Sequence, residues 1–485
     1  MCYIVESAIR GIFRTDYIST INTFSVSALR SITDIKKKEE EQKTKTSQLS
    51  SKEQLLDTNL GKNDQTVAVF DDLSPFEEVN RKMLVLNELS LNSNPFYLLY
   101  RGYRLLEYWS GRAEIGEELT IYIKEEQNMA YPQYIYELCS MYFGNNVGKK
   151  NNLRLGSTGL ELDLTFIYFP APGSEKMFEN FSQVLHNPYP IRLTSIRKYP
   201  FYKTTKGYCV IDSIFMLEKG YSQFINDFWF DRVRQLMDES GKNKFPIRRY
   251  RGLFGGFVEE YFGKIIDYAF EKSKHFHIYK FDKLKVFIDK HNVELLDIYI
   301  RNSNNIFRGE VKSTGIYDNE KYSGDLDGFY RHDREGFFNA FGMGQIFRAI
   351  ELLDDNAKYF DPRFPSKGSF KLYPALIVNE KVLQTPIMAK VFNDYFMKAL
   401  PKGLHKRVKI QALSIIHISD WENMEDHLRE TPTDFFKIMK FHVRDALFIP
   451  PFYNSVVLKQ VKQHPKKVWN MMENLVQKYQ RENSP

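Results

Sequence analysis

The sequence predicts an α/β fold in its C-terminal half, a mixed sheet flanked by helices, preceded by a mostly helical N-terminal domain. Three observations carry this expectation. Upstream of Gly241, segments such as PFYLLYRGYRLLEYW (from Pro95) and MLEKGYSQFINDFWFDRVRQLM (from Met216) repeat apolar residues every three or four positions, the period of an amphipathic helix. Downstream, short runs rich in Ile, Val, Tyr and Phe take over, as strands require. Their order is helix, three strands, helix, strand, the pattern of a helix-flanked sheet.

Taken in order, residues 1–67 read as a weakly ordered N-terminal segment. Within it the charged stretch at about 35–66, which begins KKKEEEQKTKTSQLSSKE, forms a disordered linker. Residues 68–245 form the mostly helical domain, with short strands around Glu161–Tyr168 and Tyr208–Ile211. A basic loop, KNKFPIRRYR, opens a third region, 246–430, and leads into the helix FGGFVEEYFGKIIDYAFEKS. The strands HIYKF, VELLDIYIR and IFRGEVKS follow, the last two joined by an Asn302-Ser303-Asn304-Asn305 hairpin turn. A helix over Arg334–Leu353 and strands at Leu372–Val378 and Val408–Ile418 complete the region. Residues 431–485 are expected as a basic helical tail packed on it. A chain of 485 residues exceeds one ordinary domain, so each part is expected to bury its own core.

Composition narrows the function classes. Hydrophobic residues at 43% and charged residues at 27% are ordinary globular values, and aromatics at 15% suit a core built on Phe and Tyr. A net charge of +7 (pI ≈ 8.8) permits a polyanionic partner without demanding one. Cys2, Cys139 and Cys209 lack the paired spacing of a zinc site or disulfide framework. No run approaches the ~18 apolar residues of a spanning helix, and the N-terminus is no convincing signal peptide, so a cytoplasmic protein without membrane contact is expected. Gly255-Gly256 is followed by no Gly-Lys-Ser/Thr, which removes a P-loop ATPase. His275, His277 and His332 read as scattered structural histidines.

The residues suited to chemistry lie on the strands. In IFRGEVKS, alternation puts Glu310 and Lys312 on one face and Val311 on the other. In VELLDIYIR, Leu296, Ile298 and Ile300 share a face, and Asp297 interrupts the opposite one. A buried carboxylate is costly unless paired. If the strands are neighbours, Asp297 and Glu310 converge beside Lys312, and a divalent cation relieves their repulsion; Mg²⁺ favours such hard oxygen ligands. On the preceding helix Glu260 aligns with Lys264, Asp267 and Glu271, a solvated face. Glu259 aligns with Phe262, Ile266 and Phe270, an inward stripe, so Glu259 is the third candidate. Each residue alone has an ordinary explanation as an ion pair or strand-end hydrogen bond; order and spacing give the set its weight. The basic groups Arg248, Arg249 and Arg251, with Lys402, Lys406 and Arg407, are candidate phosphate contacts.

Glu259 on a helix, then Asp297, then Glu310-Val311-Lys312, resembles the PD-(D/E)xK nuclease superfamily, whose fold is restriction-endonuclease-like. Gln345, in FGMGQIFRAIELL, stands where many members carry a functional Gln. VEEYFGKII and KYSGD (Lys321–Asp325) are similar to segments of large bacterial phage-defence nucleases. The resemblance covers about residues 250–420; Leu296 stands where the family commonly has Pro. It implies a metal-dependent nuclease, a DNA endonuclease of anti-phage defence or restriction. In it Asp297, Glu310 and the Val311 carbonyl hold Mg²⁺ (or Mn²⁺), with Glu259 supporting the metal or its waters. Lys312 orients the attacking water and offsets phosphate charge, and Gln345 positions the water network or the phosphate. The implied partner is nucleic acid, with a homo-oligomer or regulatory protein as control. Two alternatives stay open: an RNA-cleaving effector with the same centre, and a catalytically silent binding or scaffold protein.

Overall fold

A computed structural model of the chain describes residues 83, 87, 95–147, 154–156, 159–161, 174–183, 193–204, 207–288, 291–294, 296–316, 334–365, 367–400, 407–444, 449–461 and 466–482. The expected linker, most of the strand at Glu161–Tyr168, the KYSGD segment, His332, Lys402 and Lys406 lie outside the described residues.

The N-terminal half is helical, as its periodicity requires. Helices α1 (Pro95–Ser110), α2 (Gly116–Gln127) and α3 (Tyr131–Val147) come first, followed by the hairpin β1 (Arg154–Gly156) and β2 (Gly159–Glu161). Short helices α4 (Glu175–Asn180) and α5 (Leu193–Lys198) alternate with a small sheet, β3 (Ser182–Gln183), β4 (Phe201–Thr204) and β5 (Gly207–Val210). Helices α6 (Ser213–Glu218) and α7 (Ser222–Asp231) end this half, and the long helix α8 (Ile247–Ala269) begins the next. Pro246 stands just before α8, where its fixed φ favours helix initiation.

The central sheet is mixed. Strands β6 (His277–Lys280), β9 (Ile298–Asn302) and β10 (Asn305–Lys312) form an antiparallel meander. Strand β11 (Phe370–Val378) joins parallel to β10, and β12 (Val408–Ile410) and β13 (Ser414–His417) pair parallel to β11. The β9–β10 turn falls at Ser303-Asn304 as the sequence predicts, with Ser303 at φ +51°. Two expectations need correction. VELLDIYIR is not one strand: Val293 and Glu294 belong to a separate hairpin, β7 (Lys285–Ile288) with β8 (His291–Glu294). The chain then bends at Asp297 before β9, so Leu296 packs with Tyr299 and not with Ile298 and Ile300. The Val408–Ile418 strand is likewise two pieces, broken where the Leu413 amide turns to donate to Asn393.

Alternating residues cover two faces. On one, Tyr299, Ile306, Leu372 and Leu376 pack against Phe338 of α9 (Arg334–Ala340), Met343 and Ile346 of α10 (Met343–Glu351), and Phe392. Helices α11 (Leu353–Phe360) and α12 (Pro386–Ala399), the latter carrying Phe392, complete that layer. On the other face Ile298, Ile300, Phe307, Val311 and Ile377 meet α8, α13 (Ile418–Glu430) and α14 (Asp434–His442) through Phe262, Trp421 and Phe435. The Phe307 and Trp421 rings lie 5.8 Å apart, edge to face, and Phe262 meets Trp421 at 5.4 Å.

The same apolar cluster runs on through Leu105, Trp109, Leu138 and Phe228 of the N-terminal helices, so the halves share a core instead of each closing its own. Buried polar groups cross the seam. Arg101 of α1 grips Glu422 of α13 through two nitrogens, at 2.8 and 2.5 Å, and Glu422 also accepts from the Tyr261 hydroxyl at 2.7 Å. Tyr221 donates to Asn379 at 2.9 Å. After α15 (Phe452–Leu458), the last helix α16 (Lys466–Glu482) does not sit chiefly on the sheet region: it packs on α1 and α3 and is tied to α13 by Lys467–Glu425 at 2.7 Å. Its Val468, Met471 and Leu475 are buried in the shared core, which is why it turns toward the helical layer. Among the described residues no helix is long and apolar enough to cross a membrane.

Candidate active site

The site grows from the register of β9 and β10. Gly309 pairs with Ile298, so the next step of the antiparallel ladder puts Glu310 across from Asp297. Both carboxylates are buried, Glu310 to 1% exposure and Asp297 to 8%. Asp297 Oδ2 accepts the Val311 amide at 2.7 Å, which fixes its carboxylate against β10 between Glu310 and Lys312. The chain's bend at Asp297 frees this side chain from the ladder and lets it reach that amide. Lys312 Nζ donates to Glu310 Oε1 at 2.7 Å, an ion pair with the carboxylate buried and the ammonium half-buried. Val311 joins the opposite face, so Glu310 and Lys312 look toward α9 and α10.

The helix expected over Arg334–Leu353 is broken into α9 and α10 at Gly342, whose φ is +82°. Only glycine takes that conformation at little cost. The break has a consequence for the site. A Cβ on Gly342 would lie 2.5 Å from Lys312 Cε, 2.8 Å from Glu310 Cγ and 3.4 Å from Gln345 Oε1. Glu310, Lys312 and the exposed Gln345 therefore border one point, with Gly342 as its wall. Gly342 was missed from sequence; its signal was a glycine inside a presumed helix, in the run FGMGQ.

Glu259 is the correction. It is exposed on α8, the helix that covers the opposite face of the sheet from Glu310 and Lys312. The buried stripe of α8 runs through Phe254, Phe257, Val258, Tyr261, Ile265 and Ala269. At 100° per residue Glu259 stands ~120° from the centre of that stripe, beside Phe262 and Ile266 but outside it. A Cβ on Gly255, one turn before Glu259, would lie 3.4 Å from Ser313 Oγ, so this side of α8 borders the C-terminal end of β10. Among the described residues no group of three or more His, Cys, Asp and Glu could hold a metal ion. Of the three carboxylates expected from sequence, the structure brings two together, Asp297 and Glu310; a pair of hard oxygen donors would leave most positions of a divalent cation to water.

A second buried polar group, also missed, lies at the ends of β11 and β13. His417 caps α13: its Nδ1 accepts the Ser419 amide at 3.1 Å, and Asp420 Oδ2 accepts the His417 amide at 2.9 Å. Burial pushes the Asp420 carboxyl up to about 7 and holds His417 neutral, well below the usual imidazole range. Burial likewise raises Glu425 to about 7, against the pull of Lys467. Sealed within the protein, this group serves the helix start and the seam. The signal in sequence was HISDWE, a polar run where the α13 stripe should be apolar.

No protein-family model matches the chain, and no curated protein or solved structure does either.

Proposed function

We propose that the protein is a metal-dependent nuclease with its centre at Asp297, Glu310 and Lys312, acting on DNA in defence against phage or in restriction. One observation carries the reading: two buried carboxylates stand across adjacent strands, with a lysine amine 2.7 Å from one of them. The order α8, antiparallel β6–β9–β10, α9–α10, parallel β11 supports a restriction-endonuclease-like fold.

Asp297 and Glu310, with the Val311 carbonyl, would hold Mg²⁺ or Mn²⁺, which supplies a Lewis acid and a water of lowered pKa. The chain's own groups do the rest. Lys312 presents a cation to the phosphate that gains charge during displacement and orients the attacking water. Glu310 restrains the Lys312 amine, and Gly342 leaves room for both side chains. Gln345, beside the same point, offers an amide to the phosphate or to ordered water. Glu259 is retained only as an outer group at the edge of the site. An unregulated nuclease would injure its host, so control by a partner protein or by self-association belongs to the proposal, as does a cytoplasmic location.

The test is cleavage of plasmid, linear duplex, single-stranded DNA and RNA with Mg²⁺, Mn²⁺ or EDTA, comparing wild type with Asp297→Ala and Lys312→Ala. The expected result is metal-dependent cutting that falls at least about 10²-fold in each folded variant. Cutting that survives both substitutions would sink the assignment.

A further inference from the structure

The segment from Phe230 to Arg251 concentrates charge: seven basic residues against three acidic ones, a net +4 in a chain whose total is +7. It is a built feature. Met237 bridges Asn243, the Lys244 amide donates to the Leu236 carbonyl at 2.8 Å, and the Asn243 side chain donates to the Arg234 carbonyl at 2.9 Å. The loop then runs through buried Phe245 directly into α8. Some of its cations have local duties: Arg232 pairs with Glu118 and Glu125, and Arg249 pairs with Glu114 and lies over the Phe245 ring. Lys244 and Arg248 are exposed along the loop and the first turn of α8, and so is Arg251, which also has a contact of its own.

Apolar side chains stand among these cations. Phe230, Met237 and Ile247 are three of the eight large hydrophobic residues exposed among the described residues. The Arg234 guanidinium lies over the Phe230 ring at 5.0 Å. A protein surface that mixes aromatic and apolar groups with cations suits a ligand that is both anionic and stackable, which describes a nucleic-acid strand. The placement fits too. Arg248 lies seven residues before Gly255, where a Cβ would come 3.4 Å from Ser313 Oγ, the residue after Lys312. That is about 10 Å along the helix, or roughly three phosphate steps of one strand.

We propose that the segment from Phe230 at the end of α7 to Arg251 in the first turn of α8 forms a track for the phosphate backbone of the nucleic acid, with Arg248 and Arg251 as phosphate contacts leading to the Lys312 end of β10. The proposal rests on the nuclease reading above and names where its substrate enters. Arg248 and Arg251 position the strand; they touch no reacting atom.

The full-length chain carrying Asp297→Ala is titrated by fluorescence anisotropy with labelled single-stranded DNA, duplex DNA and RNA of one sequence, at several salt concentrations. The probe that binds identifies the strand type. The double variant Arg248→Glu/Arg251→Glu is compared with Lys272→Glu/Lys437→Glu, which makes the same charge change at exposed positions elsewhere. The track predicts binding at least about tenfold weaker in the first pair, and a salt slope shallower by about 1.4–1.8, as expected for two lost phosphate contacts. The control pair should stay near the parent. If both pairs weaken binding equally while wild type still cuts, the track is wrong and the nuclease reading survives. If neither wild type nor the Asp297→Ala protein binds or cuts any of the three probes, the nuclease reading falls and takes the track with it.

Discussion

Gly342 does its work by what it lacks. Its backbone sits in the left-handed region, and the space a Cβ would fill is taken by Lys312 and Glu310. Gly342→Ala should therefore both strain the backbone, by about 1–2 kcal/mol, and push the Lys312–Glu310 pair out of position. The expected result is a fall of about tenfold or more in kcat, since a small misplacement of charged groups can cost 10²-fold, with KM little changed. Gly344→Ala, whose Cβ would meet only the Asn339 side chain, should stay close to wild type and serves as the comparison. A wild-type kcat in Gly342→Ala would remove the pair from the chemistry. At this scale the sequence was informative about strand residues and poor on helical ones. Alternation alone put Glu310 and Lys312 on one face, because a strand has only two faces to choose from. A helix offers a continuum of directions, so Glu259, at the margin of a broad apolar stripe, read as buried and is exposed.

Elements show the same contrast in another form. The Asn302–Asn305 turn and the β9–β10 hairpin followed from composition, whereas the pairing of β6 with β9 and the breaks at Asp297 and Gly342 did not. Both breaks sit inside runs whose period continues across them, and tertiary pairing decides where the chain bends. Helix α13 carries a pH-dependent cost. Asp420 is raised to about 7 by burial, from an unfolded value near 3.8. Stability from its neutral form is complete below about pH 4 and is lost as pH rises through about 7. Asp420→Asn keeps an acceptor for the His417 amide and never ionises. The variant should therefore gain stability relative to wild type as pH rises from 5 to 8, by an amount on the order of a few kcal/mol. Urea unfolding of both proteins at each pH measures this, and a difference independent of pH would show that Asp420 ionises freely in the fold. His442, lowered to about 3 by burial, acts on both proteins alike and in the opposite direction, costing stability as pH falls below about 6.5.

At the scale of the molecule the seam matters most. Arg101 and Glu422 are both buried, so Arg101→Ala leaves a carboxylate with the Tyr261 hydroxyl but without its cation. Removing one partner of a buried pair costs about 3–5 kcal/mol. Because the core is shared, that loss should lower one unfolding transition seen alike by probes in either half; two separate transitions would mean the halves fold independently. This arrangement is not legible in the sequence, since periodicity reports which residues are buried and is silent on what buries them. The seam also has a temporal side. Arg101 and Glu422 are 321 positions apart, and Tyr97 and Glu425 are 328 apart. At a synthesis rate of about 5–20 residues per second, the N-terminal helices wait roughly 16–64 s on the ribosome before their partners in α13 are made. Until then the apolar sides of α1 and α8 stay uncovered by the layer that completes them, so a newborn chain needs shielding for most of its synthesis.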